Sequence, residues 1–193
     1  MEITDINQLD FGKTYTYADY LTWKFKERVE LLNGRIFRMS PAPNRKHQQI
    51  AGNLYFKLRS TFANEQCKLY FAPFDVRLPR ISKDNQEIIT VVQPDICIVC
   101  DPNKLDGKGC IGAPDLIIEI LSPGNSQKEL KTKFDLYEEA DVKEYWLVYP
   151  SEESVIINVL EGGAYKTLRP IGDGNVDSPT FPQLSVPLSE IFA

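Results

Sequence analysis

The chain has 193 residues, 42% hydrophobic and 25% charged, with 22 basic against 27 acidic side chains and a formal net charge of −5. This composition excludes disorder, collagen-like repetition and a small disulfide-stapled scaffold. The negative balance also excludes a general nucleic-acid coat, because non-specific affinity comes mainly from neutralising phosphates. Any nucleic-acid role must therefore rest on a local basic face or on metal ions.

The opening MEITDINQLD is acidic and polar, unlike a secretory leader, and no run of about 18 apolar residues follows anywhere. A cytoplasmic protein with no membrane segment is expected. TYTYADYLTWK reads as a short N-terminal helix capped by Thr14 or Thr16. VELLNGRIFRM sets two apolar runs around Asn33-Gly34, the strongest short-range hairpin signal. The loop SPAPN leads into RKHQQIAGNLYFKLRSTF, where Ile50, Leu54, Leu58 and Phe62 recur every fourth residue, as on one face of a helix. KLYFAPFDVRLPR is strand-like and interrupted at Pro73.

Three apolar segments, PDICIVC, PDLIIEIL and KEYWLVYP, form the expected sheet centre, and the nearly continuous apolar character of two of them suits strands covered on both faces by helices. SQKELKTKFDLYEEA between the last two reads as a helix with Leu130, Phe134 and Tyr137 on one face, which makes a strand–helix–strand crossover unit. SVIINVL and AYKTL around Gly162-Gly163 read as an accessory hairpin, and the Pro-, Gly- and Asp-rich tail ends in LSEIFA. Of the cysteines at 67, 97, 100 and 110, Cys97 and Cys100 have C-x-x-C spacing within a strand. Side chains three apart on a strand point to opposite faces, so small core hydrophobes are the expected role, not a zinc or redox pair.

Asp95 at the start of one central strand and Glu119 inside LIIEIL are acids that a purely structural strand would avoid. A carboxylate among isoleucines carries a desolvation cost unless it is paired, hydrogen-bonded or metal-bound. Strand alternation places Asp115, Ile117, Glu119 and Leu121 on one face. If the two strands are neighbours, Asp95 and Glu119 converge there, as hard oxygen donors of the kind Mg²⁺ or Mn²⁺ prefers. The alternative is a pair of acids satisfied by salt bridges or strand-end amides.

QPDICIVC, APDLIIEILSPGNS and KTKFDLYEEADVKEYWLVYP together resemble the Uma-two family of restriction-endonuclease-like proteins in the PD-(D/E)XK nuclease superfamily. The likeness runs from VELLNGRIFRMSPAP to LSEIF, most of the chain. It implies an α/β fold with a restriction-endonuclease-like core, a mixed central β-sheet flanked by helices. One domain over residues 1–193 is expected, with the nuclease-like core over 27–150 and the hairpin and tail over 151–193.

By this resemblance Asp95 is the PD acid and Glu119 the second acid, both metal ligands and catalytic, while Asp115 is a strand-start or cap residue. The superfamily's E-x-K lysine is replaced by Leu121. Lys133, in K-x-x-x-Y with Tyr137, is the substitute, as where this lysine has migrated within the superfamily; alternatively it pairs with Glu129 on the helix surface. Glu30 resembles the family's N-terminal acid. His47, the only histidine, resembles the histidine that follows a similar loop, although by itself it reads more as a satisfied structural histidine than as a base. Gln93 has no assigned role, and Tyr145 and Trp146 read as core aromatics. Arg45, Lys46, Lys128, Lys131 and Lys133 are either a phosphate-binding cluster or solvated helix ends.

The implied activity is that of a metal-dependent endonuclease, hydrolysing phosphodiesters of nucleic acid, DNA first, with Mg²⁺ or Mn²⁺ and a metal-activated water. A two-fold homodimer suits cutting both strands. Two rival readings are an inactive nuclease-fold protein that binds nucleic acid or a protein partner, and a hydrolase for another phosphate ester.

Overall fold

In a computed structural model, which describes residues 2–39, 44–63 and 65–193, Thr16 opens α1 (Tyr17–Tyr20) through a reciprocal capping box with Asp19. The Asn33-Gly34 turn joins β1 (Val29–Leu32) to β2 (Arg35–Arg38), with both turn residues at positive φ, as a two-residue hairpin demands. A Cβ on Gly34 would also meet Thr14 Cβ at 3.1 Å. Residues 40–43, the SPAP of the expected loop, lie outside the described residues. Asn44 caps α2 (Arg45–Thr61), whose Ile50, Leu54 and Leu58 are all buried.

The strand-like segment around Pro73 divides into β3 (Lys68–Phe71) and β4 (Val76–Arg77). Then come β5 (Val91–Val92), β6 (Ile96–Val99), β7 (Leu105–Asp106), β8 (Gly109–Ile111) and β9 (Leu116–Ile120). α3 (Gln127–Glu139) crosses over to β10 (Glu144–Tyr149), which runs parallel to β9. β11 (Ser154–Glu161) and β12 (Ala164–Thr167) turn at Gly162-Gly163, and β13 (Asn175–Asp177), β14 (Ser185–Pro187) and α4 (Leu188–Phe192) close the chain.

These strands form two six-stranded sheets, ordered β2-β1-β5-β4-β8-β7 and β12-β11-β10-β9-β6-β3, and a β13-β14 pair. The hairpin expected as an accessory extends the second, mixed sheet, because β11 pairs antiparallel to β10. Strand alternation sorts this sheet's faces. Ile96, Ile98, Leu116, Ile118 and Ile120 pack under α2 and the C-terminal tail. Cys97, Val99 and Ile117 face α3 and the first sheet. The mixed α/β architecture expected from the sequence is therefore present, with the N-terminal sheet as an additional layer.

Two readings need correction. Cys100 is not a free core thiol: it forms a disulfide with Cys67, while Cys97 and Cys110 are free and buried. Lys68 pairs with Val99 across β3 and β6, so Cys67 and Cys100 meet one step further along the same ladder. The apolar face of α3 is also rotated. Its buried residues are Lys133, Leu136 and Tyr137, with Leu130 and Phe134 at the margin.

Glu144 fastens the tail to β10. Fully buried, it accepts hydrogen bonds from the Trp146 indole, the Ser178 hydroxyl at 2.8 Å and the Thr180 amide at 2.9 Å. Glu144→Ala strands two buried donors and a part-buried one, so a stability loss of about 3–5 kcal/mol is expected, while Glu144→Gln, which keeps an acceptor oxygen, loses about 1–2 kcal/mol. Urea midpoints at unchanged m-value measure both.

Candidate active site

Three elements distant in sequence meet at one end of the second sheet. β1 carries Glu30, which is 2% exposed. Its Oε1 accepts the Gln93 backbone N–H at 2.8 Å and the Lys133 ammonium at 3.0 Å. β9 carries Glu119, whose Oε1 accepts from Lys133 Nζ at 2.9 Å and the Tyr137 hydroxyl at 2.8 Å. Lys133 and Tyr137 are one turn apart on α3, so a single helix face delivers both donors. Glu129 instead accepts from the Asn125 side chain at 3.1 Å, so the helix-surface pairing of Lys133 with Glu129 does not occur.

β6 and β9 run antiparallel with Ile96 opposite Ile118, so Asp95, just before β6, comes alongside the Glu119 end of β9. Asp95 Oδ2 accepts the Ile120 N–H at 2.7 Å and lies 3.3 Å from His47 Nε2. His47 occupies the first turn of α2 and is buried, and its Nδ1 has no hydrogen-bond partner among the described residues. Glu30, His47, Asp95, Glu119 and Lys133 line one open pocket, together with Arg28 and Arg38.

Asp115 lies at the other end of β9, where it accepts the Cys100 N–H at 2.8 Å and pairs with Lys143 at 2.6 Å, the strand-start role read from its position. Tyr145 and Trp146 are both fully buried core aromatics. Lys46 pairs with Glu153, and Lys131 with Asp135, both in solvent. Arg28 was missed by sequence reasoning and Gln93 was noticed without a role; an arginine before a strand carries no signal of what it faces.

Electrostatics follow from burial. Desolvation pushes Glu119 up to about 7 despite the opposing pull of Lys133, and the charges of Asp95 and Glu30 push the same way. Lys133 moves up because its two carboxylates outweigh the burial that would lower it. Burial raises the Tyr137 phenol well above its usual range. For His47, burial acts downward but is outweighed by the hydrogen bond and charge of Asp95, so the imidazole moves up.

Among the described residues, no group of three or more His, Cys, Asp or Glu is arranged to hold a metal ion. A two-carboxylate site does fit. Asp95 Oδ1 and Glu119 Oε2 accept no hydrogen bond from a described residue, whereas the opposite oxygens are engaged. Two hard oxygens, with water to complete the shell, are a donor set that Mg²⁺ accepts.

A family model, Uma2, described as "Putative restriction endonuclease", matches residues 17–189. "Uncharacterized protein slr1290" of Synechocystis sp. (strain ATCC 27184 / PCC 6803 / Kazusa) is 25% identical over 121 residues, 62% of this chain and 60% of that protein. The chain thus spans about 60% of the length of the curated relative it matches. The crystal structure of "a putative nuclease belonging to DUF820" from Anabaena variabilis ATCC 29413 has the same fold, with a TM-score of 0.70 at 21% identity over 92% of this chain and 97% of that one.

Removing the ammonium leaves two buried carboxylates facing one another, so Lys133→Met is expected to destabilise the protein by about 3–5 kcal/mol at pH 8. The deficit shrinks at pH 5. Carboxylates whose folded-state pKa is raised bind protons the unfolded chain does not, so their repulsion fades as pH falls through that range. In the wild type the same rule makes the Glu119 contribution fall as pH rises from the ordinary glutamate value of 4.5 to about 7. Chemical denaturation of wild type, Lys133→Met and Glu119→Gln at pH 5 and pH 8, in chelator, checks both signs.

Proposed function

This chain belongs to the Uma2 family, and from that premise we propose that it is a metal-dependent phosphodiesterase that hydrolyses nucleic acid, DNA first, as an endonuclease. The observation carrying the proposal is the convergence of Asp95, Glu119 and Lys133 on one pocket, from two adjoining strands and a helix. Asp95 and Glu119 are the residues that would hold Mg²⁺ or Mn²⁺. When bound, such an ion activates water and stabilises negative charge on the phosphoryl oxygens.

The chain's own groups prepare that pocket. The Ile120 N–H and His47 fix Asp95 through Oδ2, and Lys133 and Tyr137 fix Glu119 through Oε1, so each carboxylate keeps one oxygen toward the pocket. Lys133 donates to Glu30 and Glu119 and has a third N–H left for a phosphoryl oxygen. A pre-placed ammonium in a water-poor site stabilises the charge that develops as the P–O bond breaks, without reorganising during the reaction. Glu30 anchors the ammonium from the far side. A two-fold dimer would place a second such pocket on the opposite strand of a duplex.

Supercoiled plasmid incubated with Mg²⁺, Mn²⁺ or chelator tests the proposal. Nicking with either ion and none in chelator is expected. Asp95→Asn keeps an acceptor for Ile120 N–H but loses the charge, and its cleavage rate is expected to drop at least ~100-fold while duplex affinity stays within a few-fold. A wild-type protein that retains DNA without cutting it in either metal makes this a binding protein on a nuclease fold. Turnover of a small phosphodiester alone points to another phosphate ester as substrate.

A further inference from the structure

The pocket is lined by four carboxylates, Glu30, Asp95, Glu119 and Glu129, against the guanidiniums of Arg28 and Arg38 and one ammonium, Lys133, which is shared between Glu30 and Glu119. A phosphodiester entering this field meets net negative charge, so a cation without an acidic partner has to receive it. Arg28 is placed to do so. It precedes Glu30 by two residues, its carbonyl continues the hairpin ladder by accepting Met39 N–H at 3.0 Å, and its side chain lines the same pocket.

Arg28 is exposed, yet its guanidinium is held in place. Nε and Nη2 donate to Gln93 Oε1 at 3.1 and 2.8 Å. The Gln93 carboxamide cannot turn over, because its Nε2 donates to Asp75 Oδ1 at 2.9 Å and to the Tyr20 hydroxyl at 3.1 Å. Its backbone N–H meanwhile holds Glu30. The clamp is a neutral amide, and none of the ion pairs among the described residues involves Arg28. Its charge is therefore oriented without a direct ion pair, although it is felt by Asp75 on the far side of the same amide, and of five N–H donors only two are committed. That combination suits a fork onto the non-bridging oxygens of a phosphate.

We propose that Arg28 is the phosphate anchor of this pocket and that Gln93 is the positioning residue that fixes its fork, beside the bond the site acts on. The proposal rests on the phosphodiesterase reading above. It assigns Arg28 to a backbone phosphate of the nucleic acid and gives it no part in sequence choice.

Its test is duplex DNA binding in chelator, measured as affinity against salt, alongside plasmid cleavage in Mn²⁺. Arg28→Ala is expected to weaken binding about tenfold at low salt and to flatten the log–log salt slope by about 0.9, one phosphate's worth. Arg28→Lys keeps the slope but loses several-fold in affinity and in kcat/KM, because an ammonium cannot make the fork. Gln93→Met costs several-fold in the wild-type background and nothing in the Arg28→Ala background, a non-additivity that mere loss of fold stability does not produce. Lys131→Ala, on the solvent face, serves as the control and leaves the slope unchanged.

An unchanged slope in Arg28→Ala, an equal drop in Lys131→Ala, or a Gln93→Met cost that persists without Arg28 overturns the anchor. Wild-type cleavage with an unaltered Arg28→Ala slope sinks the anchor and leaves the phosphodiesterase reading standing. DNA binding that loses its slope in Arg28→Ala, without cleavage in either metal, does the reverse. No binding and no cleavage removes both.

Discussion

One ammonium holds this end of the molecule together. Lys133 Nζ sits 3.0 Å from Glu30 and 2.9 Å from Glu119, which lie on different sheets, and is itself only 5% exposed. Through it β1, β9 and α3 share a contact that no apolar side chain could make, since either carboxylate alone would carry the full cost of burial. Such a triad is weak evidence of stability. Well-packed hydrophobes of the same volume usually do as well or better. Its presence inside strands that are otherwise isoleucine, leucine and valine is a local break with the pattern of the core, and such breaks belong where chemistry is done.

The two acids of the central strands are held by different means. Asp95 takes a backbone N–H from the neighbouring strand and a histidine from α2, the helix on one face of the sheet. Glu119 takes its partners from α3, the helix on the other face. The pocket therefore opens where both helices and the N-terminal hairpin reach the same strand ends, and each layer contributes one support. Shifting any one layer would move one carboxylate against the other. This is a reason for the N-terminal sheet to be packed against α3 rather than attached as an appendage.

Much of this arrangement was legible because it violates expectation locally. Glu119 inside LIIEIL announces itself by desolvation cost alone, and Asp95 follows once the two strands are neighbours. The NG hairpin and the α2 stripe are short-range signals and appear as read. What depends on distant pairing was not legible. Alternation alone does not say that β6 runs antiparallel to β9, nor that β3 lies beside β6, so Cys67 and Cys100 looked like unrelated residues 33 apart rather than cross-strand neighbours. Gln93 and Arg28 have no periodicity to give them away. Their connection runs between β1 and the segment after β5, 65 residues on.

The position of the lysine follows from how α3 sits on the sheet. Residue 121 shares the Glu119 face of its strand and would be the direct place for an amine, but here Leu121 packs in the apolar cluster with Leu130 of α3. Both lie against the cluster that also holds Leu136 and Tyr137 of α3. Lys133 lies three residues beyond Leu130, about one turn along, which brings its chain down over Glu119 and not over the strand end. A leucine at 121 and a lysine at 133 are thus complementary. The first joins the apolar cluster that α3 packs on, and the second places a charge on two buried acids. Reading α3 by its apolar stripe alone puts Lys133 at the margin. In the structure that face is turned so that Lys133 meets two buried acids while Phe134 stays at the margin.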